Sequence, residues 1–225
     1  AAPLSVDLIK GFKEKFDVEI IEGYGLTEAT GVSTVNPPSG QRKAGSCGLV
    51  LPGQEIDIMG PDHAPVPVGE KGEVCIKGDN QMLSYLNNPD ATQETIHDGW
   101  LQTGDIGYID EQGFLFVVDR KKDMINRGGE NIYPREIEIV IEAHPQVSSV
   151  AVIGIPDDAL GERVKAVIEP TEPGSLTPDL IRTYLKDKLA KYKIPERIDI
   201  VESLPRNPTG KILKYKLRDI NPAGE

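Results

Sequence analysis

Four stretches of this 225-residue sequence hold side chains whose types and spacing could act on a phosphate ester. GYGLTE, at 23–28, sets Tyr24 between two glycines, with the Thr27 hydroxyl and the Glu28 carboxylate just beyond. A nucleotide site needs such groups: a ring against the base, donors toward phosphate, and a carboxylate for Mg2+. The plain alternative is a strand–turn–helix connection in which Thr27 only caps. GWLQTGD, at 99–105, delivers Asp105 after a glycine turn. A carboxylate so placed can accept hydrogen bonds from two ribose hydroxyls, although a β-turn aspartate has the same signature. NPTGK, at 207–211, holds Lys211 on a loop constrained by proline and glycine, with Lys214, Lys216 and Arg218 following. An ammonium there can neutralise charge gathering on a phosphoryl oxygen, whereas a solvated basic tail needs no chemistry at all. The stretch is not a Walker loop, because Pro205 stands where the first glycine belongs. The fourth stretch, DRKKDMINRGGENIYP at 119–134, is too polar for a core strand and too rich in glycine for a helix interior.

Composition narrows the classes. Hydrophobic residues at 38% and charged residues at 27% describe a soluble globular chain of one or two domains. No apolar run approaches the length of a membrane span, and the N-terminal residues lack the pattern of a signal peptide. Cys47 and Cys75 form neither a CxxC motif nor a disulfide framework, so a reducing cytoplasm is the expected setting. His63, His97 and His144 are too far apart for a helical metal pair and read as structural or surface residues. A net charge of −11 argues against a nucleic-acid partner. Residues 1–118 carry 18 acids against 7 bases, while residues 119–225 carry 18 of each. The whole imbalance therefore precedes the fourth stretch, which suggests two units with that stretch at their junction. GxSxG, HExxH and GxGxxG are all absent, removing the usual signals of serine hydrolases, zinc proteases and dinucleotide folds.

The elements that must position these groups follow from periodicity. Leu8, Ile9, Phe12 and Phe16 predict a short amphipathic helix over residues 5–16, and VEII (18–21) reads as a buried strand running into GYGLTE. From about 45 to 118, EIDIM, GEVCIKG and GFLFVV alternate with turn residues, which predicts strands of a small barrel or sandwich. Beyond 119 the texture is mixed α and β. Pro134 can open a helix with Ile137, Val140 and Ile141 as its stripe, ending before Pro145. VSSVAVIGIP, VKAVIEP and RIDIV read as strands. Thr177 caps a helix expected to bury Leu180, Ile181, Tyr184, Leu185 and Leu189.

Taken in order, GYGLTE, GWLQTGD, DRKKDMINRGGENIYPREIE and PTGK resemble the adenylate-forming superfamily of acyl-CoA synthetases, luciferases and carrier-loading adenylation domains. The likeness runs over essentially the whole chain. NNPDATQETIHDGWLQTGD and RGGENIYPREIE look most like fatty-acyl or aryl-acyl CoA ligases. The resemblance implies a mixed α/β fold: residues 1–45 as a remnant strand and helix of the family's large N-terminal domain, 46–118 as a β-barrel-like subdomain, and 119–225 as a small mobile α+β domain. It implies that Tyr24 stacks near adenine, that Gly25 belongs to the nucleotide site, that Thr27 contacts the α-phosphate, and that Glu28 is the Mg2+ carboxylate. Asp105 and Arg120 would hold the ribose and phosphate, Lys122 would be the hinge residue, and Lys211 would be the catalytic lysine of adenylation. Gly128 and Gly129 would line the approach of a pantetheine thiol, where missing side chains let a narrow arm pass the backbone.

The implied reaction has two steps. A carboxylate attacks the α-phosphate of ATP, giving acyl-AMP and pyrophosphate; then, after rotation of the small domain, a CoA thiol takes the acyl group and AMP departs. ATP or AMP, Mg2+ and CoA are thus the expected ligands, with a small carboxylic acid as the substrate. The family's Ser/Thr/Gly-rich phosphate loop, which lies upstream of GYGLTE, is absent from these residues. The chain is accordingly read as a C-terminal fragment, inactive alone, whose missing N-terminal part is its first partner. The apolar face of the remnant loses its neighbours, leaving self-association into a homo-oligomer open. Two alternatives stand beside this reading: a non-catalytic nucleotide- or CoA-binding module, and an adenylation enzyme that loads an acyl-carrier protein.

Overall fold

A computed structural model describes residues 6–208 and 210–218, with side chains from Leu8 onward. The fold is mixed α/β. The chain divides into two compact units, with the boundary between Lys121 and Lys122, inside the 3₁₀ turn Lys121–Asp123. Among the described residues no helix is long and apolar enough to cross a membrane.

The first unit runs through α1 (Val6–Phe16), β1 (Gly23–Tyr24), β2 (Thr34–Val35), β3 (Leu49–Val50), β4 (Gln54–Met59), β5 (Gly72–Gly78), α2 (Pro89–Thr95), β6 (Ile96–His97), β7 (Trp100–Ile109) and β8 (Leu115–Arg120). Strands β1, β2 and β3 pair antiparallel as a small sheet. Strands β4, β5, β7 and β6 form a larger antiparallel sheet, to which β8 adds along β7, and it curls as a half-barrel. Alternation buries Val74 and Ile76 from β5, Leu101 from β7 and Leu115 from β8, and these build the core. Helix α2 starts where Pro89 fixes φ for the first turn and the Asn88 side chain accepts from the Ala91 N–H at 3.2 Å.

One sequence expectation fails in this unit. Residues 18–21 form no strand, and Val18 and Ile21 are exposed. Helix α1 forms, but Leu8 and Phe16 of its apolar stripe remain more than half exposed.

The β7–β8 hairpin is closed by Asp110. One carboxylate oxygen accepts from the Gln112 and Phe114 N–H groups at 2.9 and 3.0 Å, and the other pairs with Lys43. Burial pushes the Asp110 carboxyl up, but Lys43 and the two N–H donors outweigh it and hold the group below the usual carboxylate range. A carboxyl depressed on folding stabilises the protein above its unfolded pKa of about 4, and this contribution is lost as the pH falls through the lower folded value. Asp110→Asn is therefore expected to lower the melting temperature at about pH 7 and to approach the parent near pH 2, a convergence that thermal melts across this range would check.

The second unit contains β9 (Ile125–Arg127), β10 (Glu130–Ile132), α3 (Pro134–Glu142), β11 (Val147–Asp157), β12 (Gly161–Pro170), α4 (Pro178–Leu185) and β13 (Arg197–Ile200). Its sheet has the order β10-β9-β12-β11, with β13 parallel to β12. One face packs Val150, Val152, Val164, Ala166 and Ile168 against Ile137 and Ile141 of α3 and Ile181 and Leu185 of α4. The opposite face, from Ala151, Ile153 and Val167, is covered by Leu204, Ile212 and Leu217 of the C-terminal segment. With both faces buried, β11 and β12 read as continuous apolar runs rather than alternating ones. Thr177 caps α4 by accepting from the Leu180 N–H at 3.3 Å, as expected, but Leu180 itself is exposed at 40%. It lies in the first turn, off the line that carries Ile181 and Leu185 into the core.

Candidate functional site

Asp105 is placed by an irregularity in β7. The register with β5 shifts between Glu73 and Cys75, and that with β8 shifts between Ile106 and Gly107. Gly104 takes φ +70°, a left-handed value that glycine adopts without a Cβ clash. The surrounding donors have partners: Thr103 Oγ1 donates to the Val74 carbonyl at 2.8 Å and accepts from the Asp105 N–H at 3.1 Å, while the Gly104 N–H donates to Glu73 Oε1 at 3.0 Å. Such a bulge re-aims side chains locally. Here it presents the Asp105 carboxylate to two donors, Tyr24 Oη at 2.7 Å on Oδ2 and Arg120 Nε at 2.7 Å on Oδ1. Arg120 stands opposite Asp105 in the β7–β8 register, so the pair is built into the hairpin.

Asp105 is only 7% exposed, and burying a carboxylate costs less when both of its oxygens are hydrogen-bonded, as they are here. Burial, and then the Asp105 charge, raise the Tyr24 pKa far above its ordinary value, so the phenol remains a donor throughout the physiological range. Each Asp105 oxygen retains acceptor capacity after these bonds, as a vicinal diol would require.

Gly25, Thr27 and Glu28 continue from Tyr24. The chain turns back at residues 25–31, where the Gly31 N–H donates to the Leu26 carbonyl at 2.9 Å. A Cβ on Gly25 would lie 2.2 Å from the Gly31 oxygen and 2.6 Å from Val32 Cα, so this backbone crossing admits only glycine. Thr27 is the first residue of the 3₁₀ turn Thr27–Ala29, with Leu26 rather than Thr27 at the capping position, and it is exposed. Simple capping thus does not account for it. Glu28 Oε1 accepts from Tyr85 Oη at 2.9 Å, and its carbonyl accepts from the Met82 N–H at 2.7 Å. Among the described residues, no group of three or more His, Cys, Asp or Glu side chains could hold a metal ion. A single carboxylate is enough for Mg2+ where the remaining ligands come from phosphate and water.

In the second unit, Gly128 and Gly129 are the two central residues of the β9–β10 hairpin, at φ +60° and +90°. A two-residue hairpin turn with both φ positive selects glycine on conformational grounds alone. The turn is tied down by the Gly128 N–H to the Leu160 carbonyl at 2.8 Å and the Gly129 N–H to Asn126 Oδ1 at 3.1 Å. Lys122 is exposed and begins this unit. Lys211 is exposed on a tight loop, where its N–H donates to Asn207 Oδ1 at 2.8 Å and its carbonyl accepts from the Asn207 N–H at 2.9 Å.

The structure thus joins Tyr24, Asp105 and Arg120 directly and carries Gly25, Thr27 and Glu28 on the adjoining turn. Sequence reasoning missed Glu73 and Tyr85. Glu73 is buried and holds both the Gly104 N–H and Lys121 Nζ, the latter at 2.8 Å. The only signal for it was a carboxylate at the head of an apolar strand.

Comparison with known proteins agrees with this architecture. Residues 1–86 match the AMP-binding enzyme family, and residues 136–211 match the AMP-binding enzyme C-terminal domain. The chain belongs to this adenylate-forming family. It is 46% identical over 200 residues to a long-chain-fatty-acid–CoA ligase of Escherichia coli O6:H1, a match spanning 89% of this chain and 36% of that protein. The structure of ATP-bound MatB from Rhodopseudomonas palustris superposes with a TM-score of 0.92 at 36% identity, covering 97% of this chain and 44% of that one. O-succinylbenzoate CoA synthetase of Bacillus subtilis, in complex with ATP and a magnesium ion, superposes with a TM-score of 0.87 at 37% identity, covering 97% and 45%. The chain therefore spans less than half the length of these relatives.

Proposed function

We propose that this chain is the C-terminal portion of an ATP-dependent acyl-CoA ligase that activates a fatty or aryl carboxylic acid. The observation that carries the reading is the buried Asp105 carboxylate held between Tyr24 and Arg120, a preformed acceptor pair beside an aromatic ring. In this reading Asp105 accepts from the ribose diol, the Tyr24 ring stacks near adenine with Gly25 part of the same nucleotide site, and Arg120 reaches the ribose and phosphate. Thr27 donates to the α-phosphate, and Glu28, oriented by Tyr85, supplies the protein ligand to Mg2+.

In the first step a substrate carboxylate oxygen bonds to the α-phosphorus and pyrophosphate leaves with the electrons of the broken P–O bond. Lys211 stabilises the charge that builds on phosphoryl oxygen. In the second step the thiolate of CoA bonds to the acyl carbonyl carbon and AMP leaves. Gly128 and Gly129 clear the path of the pantetheine arm, and Lys122 absorbs the backbone rotation that exchanges the two arrangements. The carboxylic acid, ATP and CoA are the small-molecule partners, and the longer polypeptide supplies the acyl pocket.

Two measurements test this. The full-length polypeptide that carries this segment is expected to catalyse ATP–pyrophosphate exchange dependent on a fatty or aryl acid, and no exchange across such a panel would overturn the reading. In calorimetry, Asp105→Ala is expected to weaken AMP binding by roughly tenfold to a hundredfold, the worth of a hydrogen bond to a charged group. Unchanged affinity would remove Asp105 from the ribose site.

A further inference from the structure

The second unit buries a lysine that the proposed reaction does not use. Lys165, on β12, is 1% exposed and ranks among the largest fully buried side chains. It lies on the same face as Val167, under the C-terminal segment, and its ammonium pairs with Asp199 Oδ2 of β13 at 2.9 Å. A buried ammonium needs more than one partner to offset its lost hydration. Lys165 Nζ also donates to the Leu217 carbonyl at 3.3 Å, in the 3₁₀ turn Lys214–Leu217. The Leu217 side chain is fully buried among Ala151, Ile153 and Val167.

A second ionic anchor holds the same turn. Lys214 Nζ lies 2.8 Å from Glu138 Oε1, and this buried carboxylate also accepts from the Val152 N–H of β11 at 2.9 Å. Ahead of the loop, the Leu204 N–H donates to Glu169 Oε2 at 2.9 Å. The loop that carries Lys211 is thus closed on itself by the Leu213 N–H to the Pro205 carbonyl at 2.8 Å and clamped at both ends to the sheet.

We propose that Lys165 is a positioning residue for Lys211: its buried ammonium, neutralised by Asp199, pins the Leu217 carbonyl and so fixes the loop from which Lys211 projects. The functional half of this inference rests on the assignment of Lys211 to adenylation; the structural half does not.

The first test is therefore hydrogen exchange on the 225-residue chain. Lys165→Met keeps the apolar stem and removes the donor. Its amides at Asn207, Lys211 and Leu213 are expected to exchange at least tenfold faster, with those of α3 and α4 unchanged. Unaltered exchange at these three amides, or equal acceleration throughout the unit, overturns the proposal. Should Lys165→Met fail to fold, Lys165→Gln retains a donor for the carbonyl; a smaller acceleration confined to the same amides supports the proposal, and a uniform one overturns it.

The second test uses the full-length polypeptide. Lys165→Met is expected to lower kcat of adenylation at least tenfold with little change in the KM for ATP, and to add nothing further in a Lys211→Ala background. A general structural defect would instead multiply with Lys211→Ala and would also slow thioester formation from supplied acyl-adenylate. If Lys211→Ala leaves adenylation intact, the functional assignment fails while the exchange result still judges the anchor. If Lys211→Ala acts and Lys165→Met does not, the anchor fails alone.

Discussion

Replacing Lys211 by alanine is expected to cut carboxylate-dependent ATP–pyrophosphate exchange by about 10²–10³, the scale for removing one preorganised electrostatic donor from a transition state. Thioester formation from supplied acyl-adenylate and CoA should be nearly unchanged. Asn207 meets Lys211 through both its side chain and its backbone, so the lysine backbone is fixed while its side chain stays exposed. A lysine whose backbone is held while its side chain stays in solvent fits a role in which the cation meets its partner only when substrate arrives. Equal loss in both half-reactions would sink the assignment of Lys211 to the first step. Single-turnover measurements on the full-length polypeptide separate the two.

Gly25→Ala is expected to destabilise the first unit by about 3 kcal/mol, the upper part of the range for overpacking. Its new Cβ would meet the Gly31 carbonyl oxygen and Val32 Cα, both backbone atoms that cannot rotate away. For a domain of this size the cost corresponds to a melting-temperature loss of roughly 10–20 °C. Gly11→Ala is the control: a Cβ there meets nothing within 4 Å inside α1, and alanine should be neutral or slightly stabilising in a helix interior. Matching melts for the two variants would show that the crossing at Gly25 tolerates a side chain.

These sites differ in how they could be read from sequence. The fold class was legible, because short apolar runs between turn residues in the first unit and mixed strand and helix patterns in the second each have their own period. Pro134, Thr177 and Pro178 mark helix starts by local chemistry alone. Residues 18–21 misled because composition shows that a run is apolar but not whether anything will pair with it. Leu180 misled because periodicity shows which face of a helix is apolar but not where the buried part of that face ends. The proximity of Tyr24, Asp105 and Arg120 had no signal in composition; it came from the order of four motifs. The contact between Tyr85 and Glu28 joins residues 57 apart with no spacing rule between them, and only the folded chain reveals it.

The Glu138 carboxylate has one more consequence. Among the described residues strand β11 ends the sheet order of the second unit, and an edge strand of eleven residues rich in valine and isoleucine is a template for another chain. Glu138 occupies the Val152 N–H on that edge, and Lys214 brings the C-terminal turn beside it. The same ionic contact that steadies the lysine loop therefore guards against strand-to-strand aggregation, so solubility and loop order in this unit should rise and fall together.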